Sequence, residues 1–258
     1  SLGLKAETTA VPFYVAGIAS LLMGLFSFSL PHTPPPASEK GSITVREILG
    51  LDALAQLNSR PFIIFMVSSF LICIPLATYY NFAPIFANDV GLSNVAFKMS
   101  FGQMSEVLFM VAMPFFFRKL GVKWMLVVGM AAWVLRYALF ALSASQGVVW
   151  MIMFGVLLHG ICYDFFFVTG QIYVDKKAGP EIRGQAQGLL VLITLGLGML
   201  IGAQVSGWLN NYFKAGADAL SPELWGSFWW IPAAFAGAIM LFFTFTFKDE
   251  VDRDEVSI

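Results

Sequence analysis

His159-Gly160-Ile161-Cys162-Tyr163-Asp164-Phe165-Phe166-Phe167-Val168-Thr169-Gly170-Gln171 lies inside an apolar run that opens near Val148, and it sets a carboxylate, Asp164, among aromatic side chains. The run is long enough for a membrane-spanning helix, which needs about 20 residues. An ionised side chain at the centre of such a helix costs roughly 2.5–3.5 kcal/mol on insertion scales, so it normally faces an internal cavity and has a task there. Asp164 is therefore a candidate functional residue.

Working outward, Gln103-Met104-Ser105-Glu106 places an amide and an acid three residues apart within a second apolar run. That spacing puts both on one face of a helix. A third charge, Arg136, sits inside Ala131-Ala132-Trp133-Val134-Leu135-Arg136-Tyr137-Ala138. No other Asp, Glu, Lys or Arg lies well inside an apolar run.

Composition agrees with these local signs. Hydrophobic residues make up 58% of the 258 positions and charged residues 12%, with a mean hydropathy of +0.76. An ordinary soluble domain carries about 25% charged residues, so the chain reads as an all-α membrane protein with several spans. Its net charge of -1 says nothing about partners, because in such a chain the placement of charges matters more than their sum. Cys73 and Cys162 both fall in apolar runs and read as packing residues, not a disulfide pair.

Seven segments are long enough to cross a bilayer: Ala10–Leu30, Phe62–Phe86, Val95–Phe117, Trp124–Ser143, Val148–Gln171, Gly188–Leu209 and Trp225–Phe247. Of the 15 Lys and Arg residues, eleven fall in the loops 31–61, 118–123 and 172–187 and in the tail after 247; only Lys5, Lys98 and Lys214 fall on the opposite side. The positive-inside rule then puts the tail in the cytoplasm and the first residue outside. An outside start without a signal sequence calls for an earlier crossing, so the sequence is expected to be the C-terminal portion of a longer membrane protein. Pro31-His32-Thr33-Pro34-Pro35-Pro36-Ala37-Ser38-Glu39-Lys40-Gly41 reads as a stiff polar linker, with a short amphipathic piece around Ile43–Leu57 after it. The expected division is residues 1–30 as the last helix of a missing half, 31–60 as a cytoplasmic linker, 61–247 as a six-helix domain, and 248–258 as a tail.

Gly198 and Gly202 have the spacing that lets membrane helices approach closely, and Pro75 and Pro84 should bend the second segment. Trp225, Trp229 and Trp230 read as an interfacial belt.

With six helices after a long cytoplasmic loop, and with Phe117-Arg118-Lys119-Leu120-Gly121-Val122-Lys123 between two of them, the sequence resembles the C-terminal half of a major facilitator superfamily transporter. More specifically, Gln103-Met104-Ser105-Glu106-Val107-Leu108-Phe109, Tyr163-Asp164-Phe165-Phe166 and Pro180-Glu181-Ile182-Arg183-Gly184-Gln185-Ala186-Gln187-Gly188 are similar to the nucleoside:proton symporter family. The resemblance implies that Gln103 and Glu106 hydrogen-bond a nucleoside, that Asp164 serves substrate contact or proton coupling, and that Tyr163 forms an aromatic wall. His159 stands where the family has another aromatic. The sequence departs from the family on the preceding helix, where a Gln/Asn pair aligns with Ala77 and Tyr80 and leaves Asn81 as the nearby amide.

The chemistry of the residues is compatible with that implication. A nucleoside offers ribose hydroxyls and a base edge for hydrogen bonds and a base face for stacking, and Asn81, Tyr79, Tyr80, Gln103, Glu106 and Tyr163 could meet them. Proton coupling needs a carboxyl group that loads and releases a proton near neutral pH; Glu106 and Asp164 are the only acids placed for it. The expected partners are thus a nucleoside, a proton, the lipid bilayer of an inner (plasma) membrane and the missing half, with no nucleic acid. Simpler readings exist: Glu106 could form a structural ion pair with Arg136, Asp164 could clasp a neighbouring helix, and His159 could be a packed histidine. No phosphate loop, metal-ligand cluster or protease motif occurs, so no cofactor or metal and no enzymatic activity are expected. A proton symporter for a sugar or other polar metabolite, and more remotely a seven-helix receptor, remain alternatives.

Overall fold

The computed structural model describes residues 9–33 and 44–248, and it divides into two compact units, 1–43 and 44–258. Most of the proline-rich linker and the last ten residues lie outside the described residues. The first unit holds helix α1 (Val11–Ser27), opened by a proline in its first turn, where the missing N–H would have had no partner anyway. It stops short of Leu30. There the Ser27 and Ser29 hydroxyls donate to the carbonyls of Gly24 and Phe26 at 2.6 and 2.7 Å, a local bonding pattern that competes with helix continuation.

The second unit begins with two short helices, α2 (Val45–Ile48) and α3 (Leu51–Gln56), separated at Gly50, whose φ of 67° is left-handed. These correspond to the amphipathic piece expected around 43–57. Five longer elements are apolar and long enough to cross a membrane: Arg60–Asp89, Val95–Ala144, Val149–Lys177, Arg183–Lys214 and Pro222–Thr246. Drawn straight, the second would be about 75 Å long, more than twice the hydrocarbon thickness. It turns at Gly121 instead, with φ 67° and ψ 176° inside the element Val95–Gln146. Its halves are α5 (95–120) and α6 (122–146); the first, third, fourth and fifth elements are α4, α7, α8 and α9. Glu106 and Arg136 both touch His159, although 30 residues of straight helix would hold them about 45 Å apart, so α5 and α6 run back along each other. With α1, this makes seven long helices among the described residues. The expected loop 118–123 is almost entirely helical, because one glycine suffices for the reversal.

The starts of α4 and α9 carry readable signals. The Ser59 and Ser221 hydroxyls accept from the backbone N–H groups of Phe62 and Leu224, with a proline in the first turn of both helices, the usual arrangement at a helix N-terminus. Helix α4 runs unbroken through Pro75 and Pro84. Helix α8 packs on α4 through its glycines: a Cβ at Gly198 would fall 2.7 Å from the Cys73 Cβ, and one at Gly202 would fall 2.7 Å from the Ala77 Cβ. The small-residue spacing therefore marks a real close approach.

Helix α9 packs mainly on the α5–α6 hairpin and on α4. Tyr137 stacks on Trp229 at 5.8 Å, and Phe86, Phe140, Trp225 and Trp229 meet edge-on or tilted. This corrects the interfacial-belt reading for two of the three tryptophans. Trp225 and Trp229 are buried and only Trp230 is exposed, because the aromatic residues of α4 and α6 offer them faces to pack against, and Trp225 Nε1 donates to Asp89 at 3.1 Å.

Candidate functional site

Helix α7 is irregular where its polar residues lie. Its regular turns end at Leu157, resume over His159–Tyr163, widen to π-helical turns over Asp164–Val168, and become regular again at Thr169. Wide turns of this kind are frequent at functional sites, and α8 carries another over Leu192–Gly198. Two glycines bring this part of α7 against α5. A Cβ at Gly160 would lie 2.5 Å from the Ser105 carbonyl, and one at Gly102 would lie 3.2 Å from the His159 Cβ. The Gly160 N–H donates to Ser105 Oγ at 2.9 Å, and that hydroxyl donates in turn to the Gly102 carbonyl at 2.6 Å.

The imidazole of His159 thus arrives between two charges. Its Nε2 is 2.8 Å from Glu106 Oε1, and its Nδ1 is 3.1 Å from Arg136 Nη2. Among the described residues no ion pair joins Glu106 to Arg136 directly, so the simple pair considered from sequence is replaced by a three-membered chain. Arg136 is wholly buried and its guanidinium lies 4.2 Å over the Tyr79 ring, a cation–π arrangement favoured by desolvation. Tyr79 in turn stacks on His159 at 5.4 Å. Glu106 keeps 25% of its side chain exposed, whereas His159 keeps 3%. The acid is the accessible end of a buried chain.

Of the residues singled out from sequence, Tyr80, Tyr163 and Glu106 gather around His159, the two tyrosine rings at 6.0 and 6.1 Å from it. Gln103 lies one turn before Glu106 on α5, exposed, and its amide satisfies itself on the Met99 carbonyl at 2.9 Å. Asn81 donates instead to Ser206 of α8 at 3.3 Å. Asp164 is fully buried, and neither carboxylate oxygen has a hydrogen-bond partner among the described residues. Position 77 has no room for an amide on that face, since Gly202 closes over the Ala77 methyl. Tyr79, expected as a ring for the substrate, instead lies between Arg136 and His159; His159, Arg136 and Ser105 were not among the residues expected to bind substrate or carry the proton. The signal that could have found them is that Arg136 and His159 are polar residues in apolar runs, but their meeting depends on how α5, α6 and α7 pack.

The model of the family described as "Nucleoside H+ symporter" matches residues 3–252. The chain belongs to the nucleoside H+ symporter family. Membership makes it a multi-pass membrane protein of transporter type and removes the receptor alternative. Among curated family members, the chain is 37% identical over 245 residues to "Putative nucleoside transporter YegT" of Escherichia coli, covering 93% of this chain and 57% of that protein. It is 30% identical to "Nucleoside permease NupG" of the same organism, covering 94% and 59%. The crystal structure of nucleoside transporter NupG superposes with a TM-score of 0.66 at 28% identity, over 92% of this chain and 60% of that one. The chain thus spans about three fifths of the length of these family members.

Proposed function

We propose that the chain is the C-terminal portion of a proton-coupled nucleoside importer that works by alternating access. Residues 61–247 would be the six-helix half and α1 the last helix of the other half. The lysine and arginine distribution supports a cytoplasmic tail, and the family supports an inner-membrane location. In this reading the halves rock about a site near mid-membrane, and substrate and proton move together down the proton gradient. The observation that carries it is the position of Glu106: an acid inside the spans, partly open on one side and tied to a buried histidine–arginine pair on the other.

Glu106 and Gln103 would bond the hydroxyls and base edge of a nucleoside. Tyr80 and Tyr163 would offer ring faces, with Asn81 nearby. Protonation of Glu106 would exchange its charge for a hydrogen-bond donor, so that substrate affinity and proton occupancy depend on each other, which is the coupling a symporter needs. Asp164 would be the second coupling acid. Burying a carboxylate without partners is costly, so its charge and its surroundings must change together.

The test is uptake of radiolabelled uridine by the full-length protein in proteoliposomes, with and without an inward proton gradient. Wild type should accumulate uridine only with the gradient, and Glu106→Gln and Asp164→Asn should each abolish accumulation. A wild type that ignores uridine refutes the nucleoside reading.

A further inference from the structure

We propose that Arg136 is a positioning residue that sets the tautomer of His159 and thereby favours one oxygen of Glu106 as the carrier of the coupled proton. The proposal rests on the reading of Glu106 as a coupling acid. Arg136 is wholly buried, so it touches neither substrate nor solvent in this conformation and must act through what it contacts.

The argument is one of donors and acceptors. Guanidinium has N–H donors and no acceptor, while a neutral imidazole has one of each. Arg136 Nη2 at 3.1 Å from His159 Nδ1 therefore requires Nδ1 to accept. The ring proton is then on Nε2, where it donates to Glu106 Oε1 at 2.8 Å. A second ring proton would have to sit on Nδ1, facing the guanidinium, which both charge and geometry oppose. Two consequences follow. His159 is not itself a proton carrier while Arg136 is in place. And Oε1 of Glu106, already accepting from Nε2, is the poorer proton site, so the proton it takes up favours Oε2.

The ring has little freedom to escape this arrangement. It stacks on Tyr79 from α4, has the edge of Tyr80 at 6.0 Å and Tyr163 of its own helix at 6.1 Å, and its helix is pressed onto α5 at Gly102 and Gly160. The titratable and charged groups facing it are thus Tyr79 and Tyr80 of α4, Glu106 of α5, Arg136 of α6, and Tyr163 of α7, with Asp164 a turn further on.

The test uses the full-length protein in proteoliposomes and reads gradient-driven uridine uptake across about pH 5 to 8, the range in which a free imidazole titrates. Arg136→Met frees Nδ1, so His159 can take a second proton and pair with Glu106. The pH profile should gain an inflection within that range that wild type lacks, and this inflection should vanish in Arg136→Met/His159→Gln. His159→Phe should lower coupled uptake about tenfold, the scale of one hydrogen bond to a charged group. His159→Gln should restore most of it, because the glutamine oxygen can accept from Arg136 while its N–H₂ donates to Glu106. An unshifted profile in Arg136→Met, or an inflection that survives in the double variant, overturns the proposal. If Arg136→Met does not fold, His159→Gln decides alone: a loss as deep as that of His159→Phe overturns it. A wild type that does not accumulate uridine instead defeats the functional reading beneath it, before any variant is compared.

Discussion

Glu106 and Arg136 carry opposite charges on helices that run side by side, yet His159 stands between them, and the identity of that one residue changes what the pair can do. A direct ion pair would hold the carboxylate with both oxygens engaged or solvated, whereas the imidazole engages one oxygen through a single N–H. The arrangement depends on close backbone approach, so its weakest point is a glycine. Gly160→Ala would set a methyl 2.5 Å from the Ser105 carbonyl, forcing α7 off α5 at a cost of about 1–3 kcal/mol. Thermal unfolding of the full-length protein in detergent should show a lower midpoint and uptake should fall with it; an unchanged midpoint would mean the two backbones are not in contact. Glu106 and Asp164 were legible as candidates because charge is rare in apolar runs. The role of His159 was not, since an apolar run shows that a residue is buried in the membrane but not which ring nitrogen faces which partner.

Among the elements, the six apolar segments of the second unit were all visible in sequence, and the structure mainly lengthens them. Helix α8 starts at Arg183 and α7 ends at Lys177, several residues beyond the apolar cores, because polar turns can extend a helix past the hydrocarbon. The two differences have physical causes. The α5–α6 reversal needs no loop because Gly121 adopts φ 67° and ψ 176°, a region essentially closed to other residues. Trp225 and Trp229 are core residues because aromatic partners on α4 and α6 are present to cover them, which hydropathy cannot register. Gly121→Ala should therefore cost about 1–3 kcal/mol, read as a lowered unfolding midpoint in detergent, and an unaffected midpoint would contradict the hairpin geometry. Gly202→Leu should be still more harmful, since the Ala77 Cβ and the Ile74 Cα stand within 3 Å of its added Cβ; the readout is loss of folded protein on size-exclusion chromatography, and a normal monodisperse yield would deny the α4–α8 contact.

For the whole molecule, the account rests on one claim: proton and nucleoside share Glu106. Glutamine at that position keeps an oxygen to accept from His159 Nε2 and places N–H₂ where the protonated Oε2 would be, so it imitates the loaded acid permanently. A transporter locked in that state should still exchange nucleoside across the membrane but should no longer move protons with it. The decisive measurement is proton influx into proteoliposomes, followed with a trapped pH-sensitive dye when uridine is added outside, paired with uridine exchange at equal pH. The account predicts uridine-driven acidification in wild type, and in Glu106→Gln exchange without acidification. Acidification that persists in Glu106→Gln would contradict it, and would move the coupled proton to another group.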